Sequence, residues 1–254
     1  MKKVFPKKWL GQHFLNDDQI ALEITNYLLP SIGNVLEIGP GMGVLTKHLL
    51  EKDYSLKLIE IDKESVEYLK TQFENIQDCV IEGDFLKYDL FSIFNNSFSI
   101  IGNFPYNISS QILFKSLENK ELITEIVGMF QKEVAERICS QKGNRTYGIL
   151  SLLIQAFYNV EYLQTVNPEF FTPPPKVKSA VIRLTRKENY KLDCDEADYF
   201  RIVKKAFNQR RKKLRNALNE FRFTQDVPLE LFQKRAEQLG VEDFVLLTQN
   251  IIKT

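Results

Sequence analysis

Asn34-Val35-Leu36-Glu37-Ile38-Gly39-Pro40-Gly41-Met42-Gly43 is a short, mostly apolar run that meets a glycine-rich turn. A helical spacing of Val44, Leu45, His48 and Leu49 follows, so the stretch reads strand, loop, helix. Such a unit belongs to an open α/β sheet, where ligands bind outside the carboxyl ends of the strands. Glycines in the turn let the backbone approach a ligand closely. The spacing is G-x-G-x-G and not the G-x-G-x-x-G of dinucleotide folds, and tight strand-to-helix turns need glycine for their own geometry. The loop therefore gains meaning only from its company.

That company lies at the ends of the following strands. Leu56-Lys57-Leu58-Ile59-Glu60-Ile61-Asp62 reads as a second strand, with Glu60 at the distance beyond Gly39 where an acidic side chain takes ribose hydroxyls. Asp62 competes for that role, because alternation puts both carboxylates on one side of a strand. Cys79-Val80-Ile81-Glu82-Gly83-Asp84 reads as a third strand ending on a carboxylate that suits an adenine amino group, or equally a helix cap. Phe98-Ser99-Ile100-Ile101-Gly102 then leads to Asn103-Phe104-Pro105-Tyr106. Asn103 offers an amide acceptor, Pro105 stiffens the backbone, and Tyr106 offers a flat ring for a base. A nucleotide-cofactor loop and an amine-gripping turn in one sheet make a transferase.

Ile123 to Phe130 reads as a fifth strand, and Val160 to Val166 with Ser179 to Leu184 as an antiparallel edge hairpin on an otherwise parallel sheet. Between the last two, Phe170-Phe171-Thr172-Pro173-Pro174-Pro175-Lys176 is stiffened by prolines. Phe171 reads either as a second stacking surface beside Tyr106 or as a core aromatic anchoring the loop. Beyond Lys187 only helical patterns remain. The expected organisation is residues 1–190 as a sheet domain with an N-terminal arm and 191–254 as a small all-helical subdomain. A helix from Phe200 to Asn219 is expected to carry Lys204, Lys205, Arg210, Arg211, Lys212, Lys213 and Arg215 with no acid, opposite an apolar face of Val203, Phe207, Leu214 and Leu218. A charge run is usually a solvated face, but an acid-free run in a chain of net charge +1 points to a phosphate backbone.

Composition bounds the rest. With 254 residues, 44% hydrophobic and 26% charged, the chain has the makeup of a globular protein. Cys79, Cys139 and Cys194 are scattered, which opposes a disulfide framework or zinc site, and the two histidines form no metal cluster. The longest apolar stretch, Gly148 to Tyr158, is too short to cross a bilayer. A cytoplasmic monomer free of metal and membrane is expected.

Gly11-Gln12-His13-Phe14-Leu15, Glu37-x-Gly39-x-Gly41-x-Gly43, Glu60-x-Asp62, Gly83-Asp84, Asn103-Phe104-Pro105-Tyr106, Phe171-Thr172-Pro173-Pro174-Pro175-Lys176-Val177-x-Ser179 and Arg210-Arg211-Lys212 together resemble the ribosomal RNA adenine dimethyltransferases. The likeness spans nearly the whole chain and is greatest to the bacterial small-subunit, kasugamycin-resistance type. It implies a Rossmann-like class I methyltransferase sheet with S-adenosylmethionine across Gln12, His13, Leu15, Gly39, Gly41, Glu60, Asp84 and Asn103, Glu60 being on the ribose and Asp84 on the adenine. It implies catalysis by Asn103, Phe104, Pro105 and Tyr106, with Phe171 as a further stacking surface. Phe104 departs from the commoner Leu, Pro or Ile, which matters little at a position acting through its carbonyl. The implied partners are small-subunit ribosomal RNA and the assembling small ribosomal particle. The implied products are dimethyladenosines at two adjacent positions of a 3′-terminal hairpin loop. Related large-subunit, macrolide-resistance methyltransferases share the core, but Arg210 to Arg215 followed by Asn216-Ala217-Leu218 favours the small-subunit type. A non-catalytic RNA-binding factor on the same fold is opposed by the intact Glu37, Glu60, Asp84 and Asn103.

Overall fold

Strands covered on both faces read as nearly unbroken apolar runs. The computed structural model describes residues 4–30 and 33–252 and places seven strands in one sheet, of which the central ones are such runs. They are β1 (Asn34–Ile38), β2 (Ser55–Glu60), β3 (Val80–Glu82), β4 (Phe98–Asn103), β5 (Ile123–Gln131), β6 (Tyr158–Val166) and β7 (Ser179–Arg186). Their order is β3-β2-β1-β4-β5-β7-β6. β1 pairs in parallel with β2 and β4, β2 with β3, and β4 with β5, while β7 runs antiparallel to β5. This is the mostly parallel sheet with an antiparallel edge that the sequence leads one to expect. The chain leaves β1 first toward β3 and later toward β5, so the carboxyl ends of β1 and β4 flank a topological switch point.

Helix α1 (Asp18–Asn26) precedes the sheet, and α2 (Thr46–Leu50), α3 (Lys63–Gln72) and α4 (Ser109–Glu118) lie between its strands. Asp17 caps α1 through the Ile20 N–H, and Asp62 caps α3 through the Glu64 N–H, each satisfying a donor that the first helical turn leaves free. Ser109, in contrast, enters the helix and donates to the Tyr106 carbonyl. A two-residue antiparallel ladder pairs Phe14 with Thr172 and Leu15 with Phe171, pinning the N-terminal arm to the segment after β6. Lys2 and Lys3 of the basic N-terminal segment lie outside the described residues.

The chain forms two compact units, one of residues up to 135 with Val160–Arg186, the other of Glu136–Asn159 with residues from 187 onward. A single boundary near residue 190 does not provide for the return of 136–159. The reason is α6 (Ile149–Phe157), which follows α5 (Lys132–Cys139) and is buried at nearly every position. Phe157 stacks on Phe200 with ring centroids 6.1 Å apart, and its carbonyl accepts the Lys187 N–H at 2.9 Å. Around α6 the second unit gathers α7 (Glu196–Asn208), α8 (Leu214–Ala217) and α9 (Val241–Gln249), with Phe207 stacked on Phe244.

The helix expected over Phe200 to Asn219 is interrupted. α7 stops at Asn208, a turn holds Gln209 to Lys213, and α8 begins at Leu214. Four successive cations, Arg210 to Lys213, crowd like charge onto one turn. There the chain pairs elsewhere instead, with Lys213 bridging Arg235 and the Leu214 N–H bonding the Lys234 carbonyl at 2.8 Å. The apolar face survives the break, since Val203, Leu214 and Leu218 are all buried.

One buried acid supports no strand end. Glu125 of β5 accepts from the Leu29 N–H at 3.3 Å and from Ser99 Oγ at 3.3 Å. Burial pushes its carboxyl up to about 7 against the opposing pull of the Leu29 N–H, Arg183 and Ser99. A folded pKa above the unfolded one means that Glu125 supports the fold most below the ordinary carboxylate range and progressively less as pH rises to about 7. Glu125→Gln should therefore gain on the wild type between pH 5 and pH 8, by on the order of 1–3 kcal/mol. Urea unfolding of both proteins across that range checks it, and a pH-independent difference would contradict the assignment.

Candidate functional site

The parallel ladder continues one residue past the strands. The Gly39 N–H donates to the Ile59 carbonyl and the Gly83 N–H to the Glu60 carbonyl, both at 2.9 Å. The ends of β1, β2 and β3 are thereby held level, and Asn103 closes β4 beside them. A cleft of about 240 Å³ opens along this edge, lined by Gln12, His13, Gly39, Gly41, Glu60, Asp84 and the Asn103–Tyr106 turn.

Gly39 and Gly41 have φ of +66° and +56°, in the left-handed region that favours glycine. A Cβ on Gly39 would meet no neighbour within 4 Å and would project into open space, whereas one on Gly41 would strike the Phe14 ring at 2.9 Å. The loop thus leaves bare backbone where a ligand can lie against it. Beside it, Glu60 Oε2 accepts the Gly41 N–H at 3.0 Å and Oε1 the Asp62 N–H at 2.9 Å. Burial pushes the Glu60 carboxyl up, and these backbone donors pull against it. Each carboxylate oxygen retains a free lone pair.

Asp62 is committed elsewhere. It accepts from Lys7 Nζ at 2.5 Å, the Glu64 N–H at 3.1 Å, Ser65 Oγ at 3.3 Å and Gln12 Nε2 at 3.4 Å, and it does not line the cleft. Burial alone would raise its pKa, but Lys7, Gln12 and the Glu64 N–H hold it below the usual carboxylate range. The ambiguity between the two acids resolves as Glu60 in the cleft and Asp62 fastening the N-terminal arm. Asp84 stays half-buried at the end of β3, with Oδ1 accepting the Leu86 N–H at 3.0 Å.

At the fourth strand end, Asn103 Nδ2 donates to the His13 carbonyl at 2.8 Å. This bond orients the amide and leaves Oδ1 as an acceptor that no described residue occupies. The Phe104 side chain is 1% exposed and meets Phe130 edge-on, so that residue reaches the cleft only through its backbone. Tyr106 is half-buried, and its hydroxyl shares a 2.5 Å hydrogen bond with Ser179 Oγ. Burial pushes its phenol up, opposed by Ser179. The His13 ring stacks on the Tyr106 ring at 5.4 Å, itself steadied by a 2.7 Å bond from Nδ1 to the Pro173 carbonyl.

Two expected residues stand outside the cleft. Leu15 is buried and borders a small adjoining cavity with Glu37, Gly39 and Asn103. Phe171 is 2% exposed in the apolar core, its backbone paired with Leu15, so it has no free face for a base. The core-aromatic reading holds for it. Glu37 is buried too, receives the Thr46 hydroxyl at 2.7 Å, and is pushed up to about 8 by burial. Sequence reasoning missed the apolar walls, namely Trp9, Leu10, Ile61, Phe85 and Leu86. Ile61, Phe85 and Leu86 directly follow residues singled out at strand ends, which is the signal that marks them. Among the described residues no group of three or more His, Cys, Asp or Glu could hold a metal ion, and no helix is long and apolar enough to cross a membrane.

A family model described as ribosomal RNA adenine dimethylase matches residues 6–251. The chain belongs to that family. It is 56% identical to the ribosomal RNA small subunit methyltransferase A of Flavobacterium johnsoniae, over 99% of this chain and 97% of the relative. Its identity to the protein of the same name from Cytophaga hutchinsonii is 58%, over 98% of each. Among solved structures, a dimethyladenosine transferase from Plasmodium falciparum superposes with a TM-score of 0.77 at 28% identity, covering 92% of this chain and 96% of that one. The 23S rRNA methyltransferase ErmE, at 22% identity and a TM-score of 0.70 over 92% and 99% of the two chains, shares the fold. The sheet is accordingly the class I methyltransferase sheet of the adenine dimethylase family.

The cations expected to meet RNA divide into two sets. Lys205 pairs with Glu220, and Arg210 donates to the Arg145 carbonyl at 2.6 Å while lying 3.7 Å from Glu237. Lys213 donates to Gln233 at 3.1 Å. Lys204, Arg211, Lys212 and Arg215 are exposed and have no ion pair among the described residues. The acids paired with Lys205 and Arg210 are Glu220, directly after Asn219, and Glu237, so a charge count that stops at Asn219 does not reveal them.

The division between Glu60 and Asp62 is testable by stability alone. Asp62→Ala should cost about 1 kcal/mol through the lost cap of α3 and speed tryptic cleavage after Lys7 and Lys8, because the arm loses its anchor. Asp62→Asn should keep the cap yet still speed the cleavage. Unchanged proteolysis of both variants would detach Asp62 from the arm.

Proposed function

We propose that the cleft holds S-adenosylmethionine against Gly39, Gly41, Glu60 and Asp84, and that Asn103 and Tyr106 present the exocyclic amine of an adenine to it. The chain is an S-adenosylmethionine-dependent ribosomal RNA adenine dimethyltransferase, in keeping with its family. Its proposed substrate is a pair of adjacent adenines in a 3′-terminal hairpin loop of small-subunit ribosomal RNA, met in the assembling small particle by a cytoplasmic monomer. The cofactor fits these residues by chemistry. Glu60 has lone pairs for two ribose hydroxyls. The Asp84 carboxylate stands beside the Phe85 N–H, which no described group accepts, and the two match an adenine's amino group and ring nitrogen. Apolar Ile61 and Leu86 suit the flat ring.

When bound, the cofactor supplies a methyl group activated by a sulfonium. The chain's own residues handle the amine. An adenine amine is a poor nucleophile because its lone pair is delocalised into the ring. An acceptor for its hydrogens favours a pyramidal nitrogen and localises that pair. Asn103 Oδ1 is such an acceptor, and the Phe104 carbonyl, to which no described residue donates, is a second. No strong base is required, since the amine becomes acidic only as the methyl arrives. The Tyr106 ring holds the extruded base, and its hydroxyl, tied to Ser179, fixes the ring's angle.

The observation that carries this reading is the bond from Asn103 Nδ2 to the His13 carbonyl, which leaves Oδ1 free for the amine. Asn103→Ala should abolish most single-turnover methylation of small-subunit RNA while RNA binding changes little. Glu60→Ala should weaken cofactor binding by roughly 1.5–3 kcal/mol in calorimetry. Methylation at the wild-type rate by Asn103→Ala would overturn the assignment. Tyr106→Phe should fall between wild type and Tyr106→Ala, because it keeps the face but loses the anchor.

The second unit is the proposed docking surface, acting through its unpaired cations. Reversing Arg211 and Lys212 to Glu should spare cofactor affinity and thermal stability while weakening small-subunit binding. The slope of log affinity against log salt should flatten by about 0.7–0.9 per lost phosphate contact. Filter binding across a salt series reads this, and an unchanged slope would place the docking cations elsewhere.

A further inference from the structure

Of the two rings read as stacking surfaces for a base, Tyr106 is partly occupied by His13 and Phe171 is buried. A different aromatic stands at the rim. Trp9 lines the same cleft and is 73% exposed, with no ring or cation partner among the described residues. An indole left in water forfeits the burial that usually recommends tryptophan, so its setting calls for an explanation.

That setting is a loop closed by hydrogen bonds. The Leu10 N–H donates to the Lys7 carbonyl at 3.1 Å and the Gly11 N–H to the Lys8 carbonyl at 3.0 Å. The Lys7 N–H donates to Gln12 Oε1 at 2.8 Å. Lys7 and Gln12, at the two feet of the loop, both donate to the buried Asp62. Gly11 turns the chain at φ +66°, where a Cβ would strike Asn107 Oδ1 at 2.5 Å. Trp9 sits at the apex, and next to it stands Lys8, exposed and without an ion pair among the described residues.

We infer that Trp9 is a stacking platform for an RNA nucleotide adjacent to the target adenine, with Lys8 on its phosphate. The inference rests on the reading of the cleft as an adenine methyltransferase site. Extruding one base leaves its neighbour without a stacking partner, at a cost of a few kcal/mol. A preorganised indole at the mouth of the cleft replaces that partner without first having to be ordered. The adjacent cation selects a polyanion over an apolar peptide or a second copy of the chain. Asp62 is the positioning residue of this device, because it fastens both feet of the loop.

The chain contains a single tryptophan, so its emission reports on residue 9 alone. The test titrates the full-length protein with S-adenosylhomocysteine, then with a hairpin RNA carrying two adjacent adenines in its loop, and measures methylation of small-subunit particles in parallel. RNA should quench the emission and S-adenosylhomocysteine should leave it nearly unchanged. Trp9→Ala should raise KM for RNA about tenfold or more, with S-adenosylmethionine affinity and Tm unaltered, and Trp9→Phe should recover much of the loss. An emission blind to RNA, or a Trp9→Ala protein with wild-type KM, overturns the platform. So does quenching by S-adenosylhomocysteine alone with weakened cofactor binding in Trp9→Ala, which would assign the indole to the cofactor. A wild-type protein that binds cofactor yet methylates no small-subunit RNA defeats the underlying reading, an outcome separate from those produced by the variants.

Discussion

The parallel ladder joining β3, β2, β1 and β4 fixes where each strand stops, and the groups in the cleft are placed by those stopping points. Glu37 lies opposite Leu58 and Ile101, and Glu60 opposite Glu82, so the turns after four strands begin at nearly one level. The extra Gly39 and Gly83 bonds carry the ladder into the turns themselves. Parallel strands cannot be joined by tight hairpins, so each turn must enter a crossover and leave its polar groups at the sheet's edge. Three acceptors from separate parts of the chain, Glu60, Asp84 and Asn103, gather there without any of them having to be brought in on a mobile loop.

The N-terminal arm completes the edge. It is held by the Leu15–Phe171 ladder at one end and by Asp62 at the other, and between these anchors the His13 carbonyl sets the Asn103 amide. Two carboxylates two residues apart, Glu60 ending β2 and Asp62 capping α3, thus do different work. Glu60 keeps lone pairs for a ligand because backbone donors alone reach it, while Asp62 is saturated by a lysine, a glutamine, a serine and a helix N-terminus. Their pKa values move in opposite directions: burial pushes Glu60 up against its backbone donors, whereas Lys7, Gln12 and the Glu64 N–H outweigh burial at Asp62 and hold it down.

In the second unit the same logic governs cations. Folding brings Glu220 and Glu237 to Lys205 and Arg210, which turns part of a basic run into internal structure. Exposed pairs of this kind add little stability, but they occupy side chains that would otherwise meet phosphate. What remains available is smaller than the count of basic residues between Phe200 and Asn219, and it is concentrated where α7 breaks.

The sheet, its antiparallel edge, the glycine turn and the acceptors at strand ends were legible in the sequence because each depends on local periodicity or on one backbone conformation. Three things were decided by tertiary structure alone. Phe171 is buried because the arm's Leu15 pairs across it, a partner more than 150 residues away. Glu60 and not Asp62 faces the cleft because Lys7 and Gln12 claim the latter. Glu136–Asn159 joins the helical unit, and the basic helix ends at Asn208, because Phe200, Lys187 and Lys234 supply partners that lie elsewhere in the chain. A pattern along the chain records which side chains seek burial or charge, whereas which neighbour satisfies them is settled only when distant segments meet.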